Sequence, residues 1–345
     1  MTRWLMGMVL VLLLLAGVPV AAQDVPVCGP AALTGNPPPE VLRAVISACD
    51  VRLEVYGGDW NAYFVRGYAH LLIGENAQAA ADFSKTLFFS PKDYGAFNNR
   101  GVALQGLGED LAALADYSRV LALNPQYTLA RISRAWAYWE AGAFALAEAD
   151  AKYLISNGAG PAGHYLLGQF AAQAGEWARA VAAFSAALRS MPGMEEAYLQ
   201  RGYAYLQLGE RALAAPDYLH MLEHQSRQAP APALTLDGRP AAFTLPGGVH
   251  HRVSFVARAG DRLTARMTAL QAGVDPMLLL LGPEGQPLTV DDDGGAGAYG
   301  LDALLSAFTI PRDGRYTLVI GCAGGGDRGE VRLALALHRA SVVWP

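Results

Sequence analysis

Apolar and small residues between 60 and 227 follow two superimposed periods. One is the 3.6-residue spacing of an amphipathic helix, and the other is a step of about 34 residues. Gly67, Gly101, Ala135, Gly168 and Gly202 recur at that step, with only the interval from Ala135 to Gly168 a position short. They stand in frames such as Val-Arg-Gly-Tyr-Ala and Asn-Arg-Gly-Val-Ala. Twelve residues after each comes Ala79, Ala113, Ala147, Ala180 or Ala214. Four further on stand Phe83, Tyr117, Ala151, Phe184 and Tyr218. Gly74, Gly108, Gly142, Gly175 and Gly209 mark a turn inside each unit, and Pro91, Pro125 and Pro192 close three units at one phase. The pattern predicts five pairs of helices, A and B. A small residue on A lets B approach, and the aromatic of B fills the gap. Residues 40–54 match a B helix in phase, with Cys49 at the aromatic position, so they predict a half-repeat covering the open end. Pro216 falls inside the last B helix and is expected to kink or shorten it.

Beyond 232 the period drops to two. Candidate strands are 233–235, 242–245, 251–258, 262–268, 277–281, 288–290, 304–310, 315–320 and 330–338, separated by turn signals such as Ala259-Gly260-Asp261 and Arg312-Asp313-Gly314. Many short strands at regular spacing predict an antiparallel β-sandwich. Residues 228–232, within a Gln/Ser/Pro-rich stretch, read as a linker.

The phased glycines, alanines, aromatics and prolines resemble the tetratricopeptide repeat over about residues 60–227. The second half resembles the bacterial pre-peptidase C-terminal domain over about 233–340. That likeness rests on Val253 to Asp261, Asp275 to Leu281, Pro283-Glu-Gly285, Asp291 to Asp293, Asp302-Ala303 and Asp313-Gly-Arg-Tyr316. The fold class expected is therefore an all-α tetratricopeptide-like superhelix followed by an antiparallel β-sandwich. The domains are 1–22 signal peptide, 23–39 extended arm, 40–227 helical repeats, 228–232 linker and 233–345 sandwich.

Composition narrows the setting. Arg3, the apolar run from Trp4 to Ala16 and the small residues Val20-Ala21-Ala22 look like a secretory leader. The chain that follows it is long enough for two separate cores. A net charge of −5 without a basic run argues against nucleic acid. Three cysteines suit an exported chain with one disulfide, Cys28–Cys49, which would pin the arm for about 3 kcal/mol. Cys322 is then a lone thiol.

Candidate chemistry is sparse. His220-Met-Leu-Glu-His224 spells H-x-x-E-H, a zinc-peptidase pattern, but Tyr218 and Met221 are core positions of a repeat helix, which leaves the imidazoles on its solvated side. Gly295 to Gly300 matches G-x-G-x-x-G, with three aspartates before it that would repel a pyrophosphate. Asp291, Asp292 and Asp293, with Asp275 and Asp302, form the candidate cation site, for which weakly bound Ca²⁺ is the expected ion. The spacing is not that of an EF-hand.

The tetratricopeptide resemblance implies a concave surface lined by the A helices. Its positions here are Phe64, Tyr68, Asn98, Val102, Gln105, Ile132, Trp136, Trp139, Tyr165, Gln169, Leu199 and Tyr203. Aromatics interleaved with amides suit an extended peptide. The lysine of the family's carboxylate clamp is missing. The expectation is an exported, non-enzymatic scaffold that binds a protein or peptide, with an accessory sandwich. Two other readings compete: a carbohydrate- or matrix-binding surface protein acting through the sandwich, and a hydrolase using His220, Glu223 and His224.

Overall fold

The computed structural model describes residues 28–34, 37–225, 227–229, 241–245, 249–270, 274–292, 302–322 and 329–339. The leader at 1–22, the strand expected at 233–235, most of the linker and Asp293 lie outside them. The chain divides into two compact units, Met1–Leu167 and Gly168–Pro345.

In the first unit, α1 (Pro39–Val55) is the expected half-repeat. The pairs α2 (Trp60–Leu72) with α3 (Asn76–Phe89), α4 (Tyr94–Gly106) with α5 (Asp110–Leu123), and α6 (Thr128–Glu140) with α7 (Phe144–Ser156) follow it. Helix α8 (Gly160–Gln173) carries the division between the units. The turns form where glycine permits: Gly74, Gly108 and Gly142 have φ of 82°, 78° and 74°. The next N–H closes the helix end, with Glu75 donating to the His70 carbonyl at 2.9 Å and Glu109 to that of Leu104 at 2.9 Å. The arm is not extended throughout. Pro30–Leu33 makes one 3₁₀ turn, because Cys28 and Leu33 are drawn into a cluster with Leu42, Val45, Cys49 and Leu53. The Cys28–Cys49 disulfide is present.

Close approach explains the phased small residues. A Cβ on Gly101 would stand 2.6 Å from the Tyr117 ring, so overpacking forbids alanine there. Where helix A carries Ala135, the facing residue shrinks to Ala151.

A second periodic device crosses the stack. Arg66, Arg100, Arg134 and Arg201 each hold the aspartate sixteen residues on (Asp82, Asp116, Asp150 and Asp217) through two hydrogen bonds of 2.6–2.8 Å. The third guanidinium nitrogen reaches the preceding B helix, at Asp50, Ser84, Ser118 and Ser185 respectively. Each arginine thus ties two repeats with a planar fork suited to a carboxylate. The fourth unit has Leu167 and Ala183 at these positions, so both partners are absent together.

Among its described residues the second unit contains the end of α8, then α9 (Trp177–Ser190), α10 (Glu195–Gln207), α11 (Arg211–Gln225) and nine strands. Pro216 does not break α11. It lies on the exposed side, where the carbonyl it leaves unbonded is open to water. One sheet has the order β1 (Arg227–Ala229), β3 (Val249–Ala257), β8 (Gly314–Cys322), β5 (Pro276–Leu281), β6 (Pro287–Asp291). The other runs β2 (Ala241–Leu245), β9 (Gly329–His338), β4 (Arg262–Ala269), β7 (Ala303–Thr309). All pairings are antiparallel except β1 with β3. Strand β1 begins just before the expected linker and replaces its first residues, because parallel pairing with β3 satisfies their backbone groups.

Alternate residues of both sheets, such as Phe255, Leu278, Leu280, Leu318 and Met267, Leu333, fill the sandwich core. The five-stranded sheet is also covered outside. Ala214, Ala215, Tyr218, Met221 and Leu222 of α11 pack on Met277, Leu279, Leu281, Val290 and Val319. Every residue of β5 is therefore buried. Polar pairs fix the docking: the Tyr218 hydroxyl donates to Asp292, Arg211 pairs with Asp291 at 2.6 Å, and Arg252 with Glu223 at 3.3 Å.

Two outcomes follow. Residues 233–345 alone would expose the outer face of β5, at about 1.5–3 kcal/mol per large apolar side chain. That fragment should bind a hydrophobic dye and aggregate, whereas 177–345 should unfold cooperatively in urea. Arg100→Ala strands the buried Asp116 carboxylate and should cost about 2–3 kcal/mol. A double-mutant cycle with Asp116→Ala should show strong non-additivity, the double variant being less impaired than the sum.

Candidate functional site

The positions expected to line the repeat face fall on the A helices, and burial sorts them. Phe64 and Tyr68 of α2, Val102 and Gln105 of α4, Trp139 of α6 and Leu199 of α10 are half-buried. Tyr203 of α10 is exposed. Asn98, Ile132, Trp136, Tyr165 and Gln169 are buried, with 2–8% of their surface accessible. That corrects the expectation for these five as open lining. An A helix in mid-array lies among other helices, and a large side chain there, such as that of Trp136, is buried. Gln105 is committed within the fold, accepting from the Tyr117 hydroxyl at 2.9 Å and donating to Glu140 at 3.0 Å. Leu199 packs on the cluster between α11 and the five-stranded sheet.

What remains in the first unit is a half-exposed apolar patch of Phe64, Tyr68, Phe97 and Val102 over the core of the first two helix pairs. Phe64 meets Phe83 edge to face at 5.6 Å between centroids. One A helix over from Phe64, at the same phase, stands Asn98. Its amide nitrogen donates to Asn99 at 3.1 Å, and its buried Oδ1 has no partner among the described residues. Buried polar atoms are nearly always satisfied, and a donor from outside could reach this one only after it is uncovered.

The aspartates of the second unit are occupied by the protein itself. Asp291 holds Arg211 and accepts the Leu304 N–H, Asp292 accepts from Tyr218, and Asp302 accepts the Ala269 N–H. Asp275 precedes β5. Among the described residues, no three His, Cys, Asp or Glu side chains converge as a metal site. His220 is sandwiched between Tyr198 and His224, at 4.0 and 4.1 Å between centroids, while Glu223 pairs with Arg252. The H-x-x-E-H residues thus serve the α11 surface and its contact with β3. Cys322 is a buried thiol at the end of β8.

One surface has no counterpart in the periodic pattern. Tyr56, Trp60, Phe88, Phe89 and Tyr94 are exposed at the ends of the first helices, Phe88 at 75%. Phe88 sits one residue off the core phase, the one sign of it in the sequence.

Residues 165–230 match the tetratricopeptide repeat family. The helix pairs before them share the same step of about 34 residues. No curated protein matches the chain. Among solved structures, PilW, a type IV pilus biogenesis factor, is 21% identical, with a TM-score of 0.46 over 54% of this chain and 86% of that one. A tetratricopeptide repeat protein from Parabacteroides merdae is 19% identical, with a TM-score of 0.46 over 53% and 73%. YrrB, a tetratricopeptide protein described as having an unusual peptide-binding site, is 16% identical, with a TM-score of 0.37 over 52% and 92%. Among the described residues no helix is long and apolar enough to cross a membrane.

The histidines where the last repeat helix meets the sheet carry a pH dependence. Burial, and then the Arg252 guanidinium, hold His250 below the usual imidazole range. Burial, and then His224, do the same for His220. The unfolded chain takes up these protons first. The contribution is therefore complete above about pH 6.5 and lost as the pH falls through the lowered folded values. The melting temperature should drop between pH 7 and 5, and His250→Gln should flatten that slope.

Proposed function

We propose that the protein is an exported, non-enzymatic scaffold whose tetratricopeptide repeats hold a protein or peptide, with the β-sandwich as companion domain. The observation that carries this reading is the Phe64, Tyr68 and Val102 patch beside the unsatisfied Asn98 acceptor. An extended peptide can lay apolar side chains on such rings, and its backbone N–H meets the Asn98 amide once a local shift uncovers it. The Cys28–Cys49 disulfide supports export, since such bonds persist in oxidising compartments. The sandwich is read as a pre-peptidase-type module on the motif residues. Two of these hold turns: Asp261 accepts the Arg258 N–H at 2.9 Å, and Asp313 that of Ala259 at 2.8 Å. Weak calcium binding near Asp291 and Asp292 would compete with Arg211 and Tyr218 for their oxygens.

Capture from the native cell envelope with wild type, Tyr68→Ala and Asn98→Ala tests the reading. Both variants should lose the same protein about tenfold. Trp136→Ala, at a packed position, should instead cost about 3–5 kcal/mol of stability. Unchanged capture by folded Tyr68→Ala and Asn98→Ala removes the repeat face as the binding surface.

A further inference from the structure

The outer face of the four-stranded sheet differs from that of its partner. Residues of β4 and β9 alternate strictly: Leu263, Ala265, Met267 and Val331, Leu333, Leu335 enter the core, and their neighbours face out. On β4 the outward set includes Arg262 and Arg266, and on β9 it includes Arg332, all three exposed. Register places them together. Arg266 stands opposite Ala334, and Arg332 opposite Thr268, one diagonal step away. Strand geometry sets about 13 Å between the Cα atoms of Arg262 and Arg266, and about 7–8 Å between those of Arg266 and Arg332. None of the three makes an ion pair or side-chain hydrogen bond among the described residues. Between them on β4 and β9 lie small side chains, Thr264, Thr268, Ala334 and Ala336, and on the β7 side Leu304 flanks Arg266. The acid of this face is Glu330, exposed two residues before Arg332.

What distinguishes these three guanidinium groups from other exposed arginines such as Arg258 and Arg315 is their register on one face of a sheet, in a chain of net charge −5 whose periodic arginines are committed to aspartates. Elsewhere in the second unit the surface cations Arg211, Arg252 and Arg339 are likewise neutralised by partners. We propose that this face binds a carboxylated polysaccharide lying across β4 and β9. Guanidinium forks pair with carboxylates at two points, which fixes both place and orientation. The spacing of the charges decides between polyanions. Duplex DNA presents a charge about every 1.7 Å and is held by many cations, whereas three arginines spaced in succession by about 13 and about 8 Å, over about 20 Å in all, match a sparsely charged chain. A bilayer is disfavoured because the large apolar side chain beside the arginines on this face, Leu304, is partly buried and does not project for insertion. The proposal is independent of the repeat-face reading and uses a separate surface.

Polygalacturonate is the probe and neutral dextran the control, with the full-length protein at 50 mM and 300 mM NaCl. Binding to polygalacturonate and not dextran, weakened severalfold by the salt, is expected. Each of Arg262→Gln, Arg266→Gln and Arg332→Gln should weaken binding roughly threefold, and the triple variant more than about twentyfold at unchanged melting temperature. Glu330→Gln should strengthen it. Tyr68→Ala should leave it unaltered, which separates this site from the repeat face. Equal binding by the triple variant, equal binding to dextran, no binding at 50 mM NaCl, or preference for duplex DNA or phosphatidylglycerol vesicles would each overturn the proposal.

Discussion

Strand β5 is apolar on both faces, and that single fact organises the second half of the protein. One face closes the sandwich core through Leu278 and Leu280. The other presents Met277, Leu279 and Leu281, and a sheet cannot leave such a row in water without a cover. Helix α11 is the cover. The last repeat and the sandwich therefore share a core rather than meeting through a tether, and the polar pairs from Arg211 and Tyr218 set their register. A sandwich in this arrangement is a continuation of the repeats. The outer face of the opposite sheet is where Arg262, Arg266 and Arg332 lie.

The repeats are held by two nested devices. Glycine against aromatic sets how closely A and B approach within a pair, while arginine against aspartate locks one pair to the next. Both leave the A-helix face for other uses, yet only part of it stays open. Where a side chain is large and flanked on either side, packing claims it, as at Trp136 and Tyr165. At Tyr68 and Val102 the side chain stays partly exposed, and at Tyr203 it is exposed while its ring meets Trp177.

Much of the fold was legible because repetition multiplies a weak signal. The positive-φ glycines, the half-repeat at α1 and eight of the strands follow from phase and period alone. The aspartate cluster looked like a ligand site for a simple reason. Sequence shows carboxylates in a row, but not the Arg211 and Tyr218 that reach them from a helix far earlier in the chain. Strand β1 was hidden because three residues beside a proline-rich stretch carry no pattern until β3 offers a partner. The arginine–aspartate rungs were readable in principle, as an interval of sixteen repeated in four units and missing at both positions in the remaining one. The unbroken apolar run of β5 was a sign of two-sided burial, though a run of that length is equally consistent with a strand buried inside a sandwich. At the candidate repeat face the register was legible, but exposure was not, since that depends on neighbours a whole repeat away.

Native-state hydrogen exchange, read peptide by peptide, tests the shared core most directly. The account predicts that amides of 214–222 in α11 and 277–281 in β5 open together, with the same free energy and the same denaturant dependence. If α11 instead exchanged early, along with the other repeat helices, while β5 stayed protected, the cover would not be part of the core and the account would be contradicted.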